Sequence, residues 1–204
     1  MAKIKFTKGE LKRQRDYLEQ FERYLPTLQL KKQQLQIKVL QMQRQLAKKE
    51  DELAQKEKGL LTWIGLLNDP RLPQDMDLSQ WIVPEKIDID TGNIAGAAIP
   101  EFKGARFRDM DYDLLTTPFW VDRGILALRE YLEALATIEI IRRQIAIIQR
   151  ELRVTTQRVN LFEKVKIPES IENIRRIRIY LGDQAANAVG ISKVAKARLE
   201  SVNV

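Results

Sequence analysis

Phe21-Glu-Arg-Tyr-Leu25-Pro-Thr-Leu28-Gln-Leu-Lys-Lys32-Gln-Gln-Leu35-Gln-Ile-Lys-Val39-Leu-Gln-Met42-Gln-Arg-Gln-Leu46 is the stretch that decides the fold. Its numbered apolar residues recur at alternating steps of four and three, with Gln, Lys and Arg filling the spaces between. That is the a/d pattern of a coiled coil, written in residues that favour helix. The register extends back through Leu18 and Gln14 to Leu11, and forward through Lys49, Leu53 and Lys56 to Leu60. A helix running from about Thr7 to Leu67 at ~1.5 Å per residue would be ~90 Å long, too long for a compact domain.

Three local features qualify this helix. Thr7 followed by Glu10 has the spacing of a capping box and is expected to start it. Pro26 removes a backbone donor and crowds the preceding turn, so a bend is expected there. Lys32, Lys49 and Lys56 fall on the seam, where a lysine either fixes register at a cost in stability or lays its stem along the seam and keeps its ammonium in water.

A second register begins after Pro118, a residue suited to a first helical turn. Tyr131, Ala134, Ile138, Ile141, Ile145, Ile148, Leu152, Thr155, Val159 and Phe162 follow the same alternation. Pro168 interrupts it, and Ile171, Ile174, Ile177 and Leu181 resume an apolar face before a weakly helical tract of small residues. Placed antiparallel with Leu46 opposite Ile138, the two stripes match: Leu53 meets Tyr131, Val39 meets Ile145, Leu25 meets Val159, Met42 meets Ile141, Leu35 meets Ile148 and Phe21 meets Phe162. The expected fold is mainly α, a long antiparallel two-helix coiled coil with a short β-hairpin region between the helices. Its seam is Phe21, Leu25, Leu28, Leu35, Val39, Met42, Leu46, Leu53, Ile138, Ile141, Ile145, Ile148, Leu152, Val159 and Phe162. Four segments follow: an N-terminal coiled-coil helix over 1–67, a hairpin-bearing middle over 68–117, a C-terminal coiled-coil helix over 118–181, and an unpaired tip over 182–204.

The middle segment changes character, with Pro70, Pro73, Pro84 and Pro100 and glycines at 92, 96 and 104. Lys86 to Asp90 alternates polar and apolar as a half-buried strand does, Thr91-Gly92-Asn93 supplies a turn, and Ile94 to Ile99 returns. The residues expected to build this region are Trp81, Ile87, Ile89, Ile94, Ile99 and Phe102, with Trp81, Phe102 and Phe107 forming a small satellite core. The tip is expected to be basic through Lys193, Lys196 and Arg198, either as a contact surface or as a frayed, solvated tail.

The chemistry is mostly defined by what is missing. The chain has no histidine and no cysteine, which removes the usual zinc, haem and iron–sulfur ligand sets and the Cys–His and Ser–His–Asp nucleophiles. It has no phosphate-binding glycine motif, so neither a nucleotide nor any other cofactor is expected. Asp109, Asp111 and Asp113 could hold a hard cation, but they lack the glycine and later glutamate of a calcium loop and read better as a solvated acidic linker. The net charge of +7 is spread over both ends, while residues 61–117 carry 10 Asp and Glu against 5 Lys and Arg. No basic face or recognition motif concentrates it, so no nucleic acid is expected. No run approaches the ~20 apolar residues of a membrane span, so the chain is expected to be cytoplasmic and not inserted in a membrane.

Leu25-Pro-Thr-Leu-Gln-Leu-Lys-Lys, Asn93-Ile-Ala-Gly with Ile99-Pro, and above all Gln157-Arg-Val-Asn-Leu-Phe-Glu-Lys-Val-Lys-Ile-Pro168 resemble the D subunit of V-type (V/A-type) ATPases and ATP synthases, with a bacterial cast in Tyr180-Leu-Gly-Asp-Gln. The resemblance covers about Phe6 to Arg198. It implies a non-catalytic central-stalk rotor shaft in the soluble sector, peripheral to the membrane, that couples ATP hydrolysis or synthesis to ion translocation by rotation. The implied partners are the catalytic A and B subunits, the F subunit and the ring-coupling subunit of the stalk. Lys193, Lys196 and Arg198 would then lie inside the hexamer and the hairpin would meet F and the ring-coupling subunit. The nearest alternative is a prefoldin-like coiled-coil chaperone or adaptor, whose paired helices are shorter and more nearly equal.

Overall fold

A computed structural model describes residues 4–62, 65, 79–109, 111 and 117–202, the side chains of 200–202 excepted. Its elements are helix α1 (Lys8–Leu61), a short helix α2 (Ser79–Ile82), strands β1 (Lys86–Ile94) and β2 (Ala97–Arg106), helix α3 (Trp120–Leu161), a π-helical turn (Phe162–Lys166) and helix α4 (Ile167–Val202). The chain divides into two compact units, Gln33–Arg153 and the combination of Met1–Lys32 with Val154–Val204.

In the unit formed by residues 33–153, the seam residues Leu35, Met42, Ile145 and Ile148 share one buried cluster, with Val39, Leu46, Ile141 and Leu152 packed against it. Leu35 and Ile148 are 0% exposed. The antiparallel pairing is tied at its margins by Lys56 to Glu130 at 3.0 Å and Arg142 to Glu50 at 2.7 Å. Both pairs are substantially exposed and so worth little individually. Lys56 thus keeps its ammonium at the edge of the seam, as snorkelling requires, and Lys49 does the same toward Glu52 at 2.7 Å.

The hairpin departs from expectation in the position of its turn. β1 continues through Thr91, Gly92 and Asn93, which pair with Pro100, Ile99 and Ala98, and the chain reverses at Ala95-Gly96. Both turn residues have positive φ, 51° and 83°, the conformation of a two-residue I′ turn whose twist matches the flanking strands. The Asn93 side-chain oxygen accepts the Gly96 N–H at 2.9 Å and closes the loop. A bulge follows Asp88, so Lys103 has no partner in the register and its ammonium reaches Asp90 at 3.5 Å. Gly96→Ala should destabilise the chain by about 1 kcal/mol, because a Cβ in the left-handed region meets the following carbonyl; urea unfolding measures it.

The expected satellite core is replaced by two separate arrangements. Ile99, 2% exposed, joins the seam cluster, and Ile94 and Ala95 pack against it, so the hairpin tip rests on the coiled coil. Gln144 of α3 donates to the Pro100 carbonyl and fixes that contact. Trp81 instead packs with Val121 and Ile125 near the start of α3, with Ile82 and Trp120 around them. A lone two-stranded ribbon is marginal in water, and the seam supplies the apolar surface it needs.

In the other unit, Thr7 caps α1 as its spacing implies, its hydroxyl accepting the Glu10 N–H at 3.2 Å. The helix runs unbroken through Pro26, and Phe21, Leu25 and Leu28 remain half-buried on either side. The Phe21 and Phe162 rings lie 5.2 Å apart, the expected seam pair. Past the π-helical turn the buried positions are Ser170, Asn173, Ile174 and Ile177, whereas Ile171 is 50% exposed. The resumed face therefore sits one residue off the expected one at that point. The C-terminal tract is not weakly helical: α4 continues to Val202. At the far end of α1, Thr62 is already outside the helix. Leu67, Pro70, Pro73 and Asp113 lie outside the described residues.

Candidate functional site

Among the described residues, the surfaces that could carry function are the seam, the hairpin with its neighbours, and the end of α4. None of the fifteen expected seam residues is exposed. Each helix presents them because steps of three and four keep returning to one face. Thr155, on the same stripe, is 1% exposed.

In the hairpin region Ile94, Ile99 and Trp81 are committed to packing, as described, and Phe102 is half-buried. Ile87 and Ile89 go the other way and stand exposed on β1. Their neighbours Asp88 and Asp90 are held ionised. Lys86 and Arg106 bond the Asp88 carboxylate at 3.2 and 2.8 Å, which lowers its pKa, the Lys86 hydrogen bond contributing most. Asp90 is lowered chiefly by the Thr91 N–H it accepts at 2.8 Å.

Arg129 of α3 was not singled out by any sequence pattern, yet it joins three segments. Its Nε donates to the Trp81 carbonyl at 2.7 Å, its Nη2 donates to the Arg108 carbonyl, and its guanidinium lies 5.0 Å from the centre of the Phe107 ring. Arg129→Ala should leave two carbonyls without their donor and cost about 2 kcal/mol. Faster amide exchange at residues 79–82 and 107–109, with residues 35–46 unchanged, would register that loss.

Lys193, Lys196 and Arg198 lie on the exposed end of α4, and every residue from 182 to 199 is exposed. The same segment also exposes large apolar groups: Val189, Ile191 at 70%, Val194 and Leu199. Ala186, Gly190, Ile191, Val194 and Ala195 line a shallow groove along it, at the i, i+4 spacing of a single helix face. A charge count alone passes over this face. Its signal in the sequence is small and apolar residues at helical spacing with no matching stripe left on α1.

Nearer the seam, Glu172 accepts from Arg175 Nε at 2.8 Å and Nη2 at 2.9 Å, and from Arg176 Nε at 2.8 Å. The Arg175 bonds first, and Arg176 second, hold its carboxyl down to about 2. A depressed carboxylate stabilises the folded helix above its unfolded pKa, and that contribution disappears as pH falls toward 2. Side-chain NMR of Glu172 should therefore titrate well below the ordinary glutamate range, and Glu172→Gln should flatten the acid limb of the stability curve.

Asp109 and Asp111 are both exposed, and among the described residues no group of three or more Asp and Glu converges as a metal site would. No helix among the described residues is long and apolar enough to cross a membrane.

Comparison with known proteins gives these features a family. The sequence profile describing the D subunit of ATP synthases matches residues 10–197. The D subunit of the V-type ATP synthase of Borreliella burgdorferi is 43% identical over 203 residues, covering 100% of this chain and 98% of the relative. The protein of the same name from Chlamydia pneumoniae is 31% identical, covering 98% and 94%, and that of Chlamydia trachomatis serovar A is 30% identical, covering 98% and 97%. Matches of this length to stalk proteins do not favour the prefoldin-like alternative. The paired seam, the hairpin and the long C-terminal helix are those of a chain that belongs to the D-subunit family of ATP synthases.

Proposed function

We propose that this chain is the non-catalytic rotor shaft of a V-type ATP synthase or ATPase, a central-stalk component that carries torque between the catalytic hexamer and the ion-translocating ring. The observation that carries this reading is the exposed helix from residue 182 to 199. An eighteen-residue helical segment showing Ile191, Val194 and Leu199 to solvent is an incomplete interface. The partner that completes it is the hexamer of catalytic A and B subunits, within which Lys193, Lys196 and Arg198 form the charged margin of an apolar contact. The hairpin-bearing end, with Ile87 and Ile89 outward, faces the F and ring-coupling subunits. The chain works on the cytoplasmic side, peripheral to the membrane.

A shaft must resist twisting and bending, and a buried seam does this because side chains interdigitated at crystal-like density cannot slide past one another without opening voids. Chemistry is left to other subunits: a chain without histidine or cysteine has few groups that titrate near neutrality. The direct test is co-purification. The folded chain, mixed with F and the A and B subunits, should elute as one complex and restore ATP-driven rotation; a hexamer that turns over yet excludes the chain would overturn the assignment. The pairing itself is tested by Leu46→Cys with Ile138→Cys in a chain that has no cysteine of its own. A disulfide within one chain is expected, and one only between chains would refute the antiparallel seam.

A further inference from the structure

The π-helical turn at Phe162–Lys166 does something to the seam that the flanking helices cannot. Leu152, Thr155, Val159 and Phe162 are shielded at steps of three and four. Continued in unbroken α-helix, the same steps would bring Lys166, Glu169, Asn173, Arg176 and Tyr180 to the seam. Glu169, Arg176 and Tyr180 are in fact exposed, while Ile167, Ser170, Ile174, Ile177 and Leu181 are shielded, with Lys166, Glu172 and Asn173 also covered on the flank of that stripe. The seam after the turn is thus displaced by one residue. This is the effect of a single extra residue accommodated by widening one turn, with the Ile167 N–H bonded to the Phe162 carbonyl instead of to residue 163.

The turn is also weakly held. Leu161, Glu163, Lys164 and Val165 are exposed, and Pro168 cannot donate a backbone hydrogen bond into the turn before it. The side-chain tie across its end is Lys166 to Glu169 at 3.4 Å, between half-exposed groups. The seam on its C-terminal side mixes polar with apolar groups: Ser170 and Asn173 are buried beside Ile174 and Ile177, and Asn173 reaches Gln14 of α1 at 3.4 Å, at the long limit of a hydrogen bond. A wide, exposed helical turn tied by a weak Lys166–Glu169 pair resists rotation about the helix axis less than the isoleucine-packed seam of residues 138–148.

We propose that Phe162–Lys166 is a torsional joint, a built-in compliant turn at which the C-terminal strand of the shaft twists relative to the rest of its own helix. The proposal rests on the shaft reading for its purpose, but not for its test. Deleting Val165 removes the extra residue: the turn closes as α-helix, and the residues now shielded keep the seam without displacement.

The test compares the parent with the Val165 deletion in the full-length chain. Amides of residues 163–167 in the parent should exchange about tenfold faster than those of 155–159, and the deletion should abolish that difference. Cysteines replacing Gln14 and Asn173 should crosslink in both backgrounds, showing that the seam survives. Equal exchange at the turn and at 155–159 in the parent would overturn the joint. So would loss of the crosslink on deletion, since the turn would then be a packing requirement. With the A and B hexamer stalled, a probe on the hairpin end should show a narrower angular distribution for the deletion, and an unchanged distribution would overturn the joint. A parent chain that does not enter the hexamer sinks the shaft reading instead, leaving the exchange result to decide the joint.

Discussion

Leu35→Ala should lower the unfolding free energy by about 3 kcal/mol, within the range for emptying a fully buried leucine site. Leu35 is wholly enclosed, and its cluster takes residues from α1, α3 and the hairpin at once. The cavity therefore lies where three elements meet, and none can close it without moving the other two. Two readouts are expected together: a lower urea midpoint, and faster amide exchange in Ala97–Phe102, whose Ile99 loses its neighbour. Leu40→Ala is the control on the same helix. Leu40 is 51% exposed, so its truncation should stay within about 0.5 kcal/mol. Equal effects at the two positions would show that the seam is not where the core lies.

A chain ending at Leu181 should separate folding from assembly. Residues 182–199 are exposed throughout, so their removal should leave the urea midpoint unchanged. Affinity for the A and B hexamer should fall by about 100-fold, ~2.7 kcal/mol, because the groove residues Ile191 and Val194 go with the segment. Lys193→Ala, Lys196→Ala and Arg198→Ala together should cost less than the truncation and should weaken binding more at low salt than at high, the behaviour of charges at an interface rim. If the triple variant matched the truncation, the apolar face would be incidental and the basic margin would be the contact. Sedimentation or surface-binding measurements with the assembled hexamer distinguish the two.

The seam was legible in the sequence because a coiled coil writes its contacts as period, and the period survives three lysines and Pro26. The hairpin was legible as two strands but not in its turn. Thr91-Gly92-Asn93 and Ala95-Gly96 both carry turn chemistry, and the choice falls to tertiary contact, since reversing at Ala95 is what lets Ile94 and Ile99 reach the seam. The π-helical turn was illegible for a different reason. Ile167, Ile171, Ile174, Ile177 and Ile179 are dense enough that an apolar face can be drawn with or without a one-residue displacement, and only burial separates Ser170 from Ile171. At the tip, attention to Lys193, Lys196 and Arg198 followed charge, while Ile191 and Val194 had no partner stripe to mark them. Arg129 carries no periodic signal at all, because its partners are backbone carbonyls of residues distant in the chain.

The burial of Leu35 beside Ile148 has a consequence for how the chain comes to be made. These neighbours are separated by on the order of 100 residues, so at ~5–20 residues per second the ribosome releases α1 many seconds before α3 exists to cover it. During that interval a long apolar stripe stands open, and the nearest identical stripe belongs to another nascent copy. Between residues 23 and 49 the chain carries seven Lys and Arg and no Asp or Glu. Two such helices side by side repel one another along most of their length, and more strongly than α1 repels residues 135–161 of α3, where five Arg are partly offset by Glu139 and Glu151. The same glutamine- and lysine-rich surface that looks featureless in the finished rotor thus acts earlier, holding each α1 apart from its twin until its own α3 arrives.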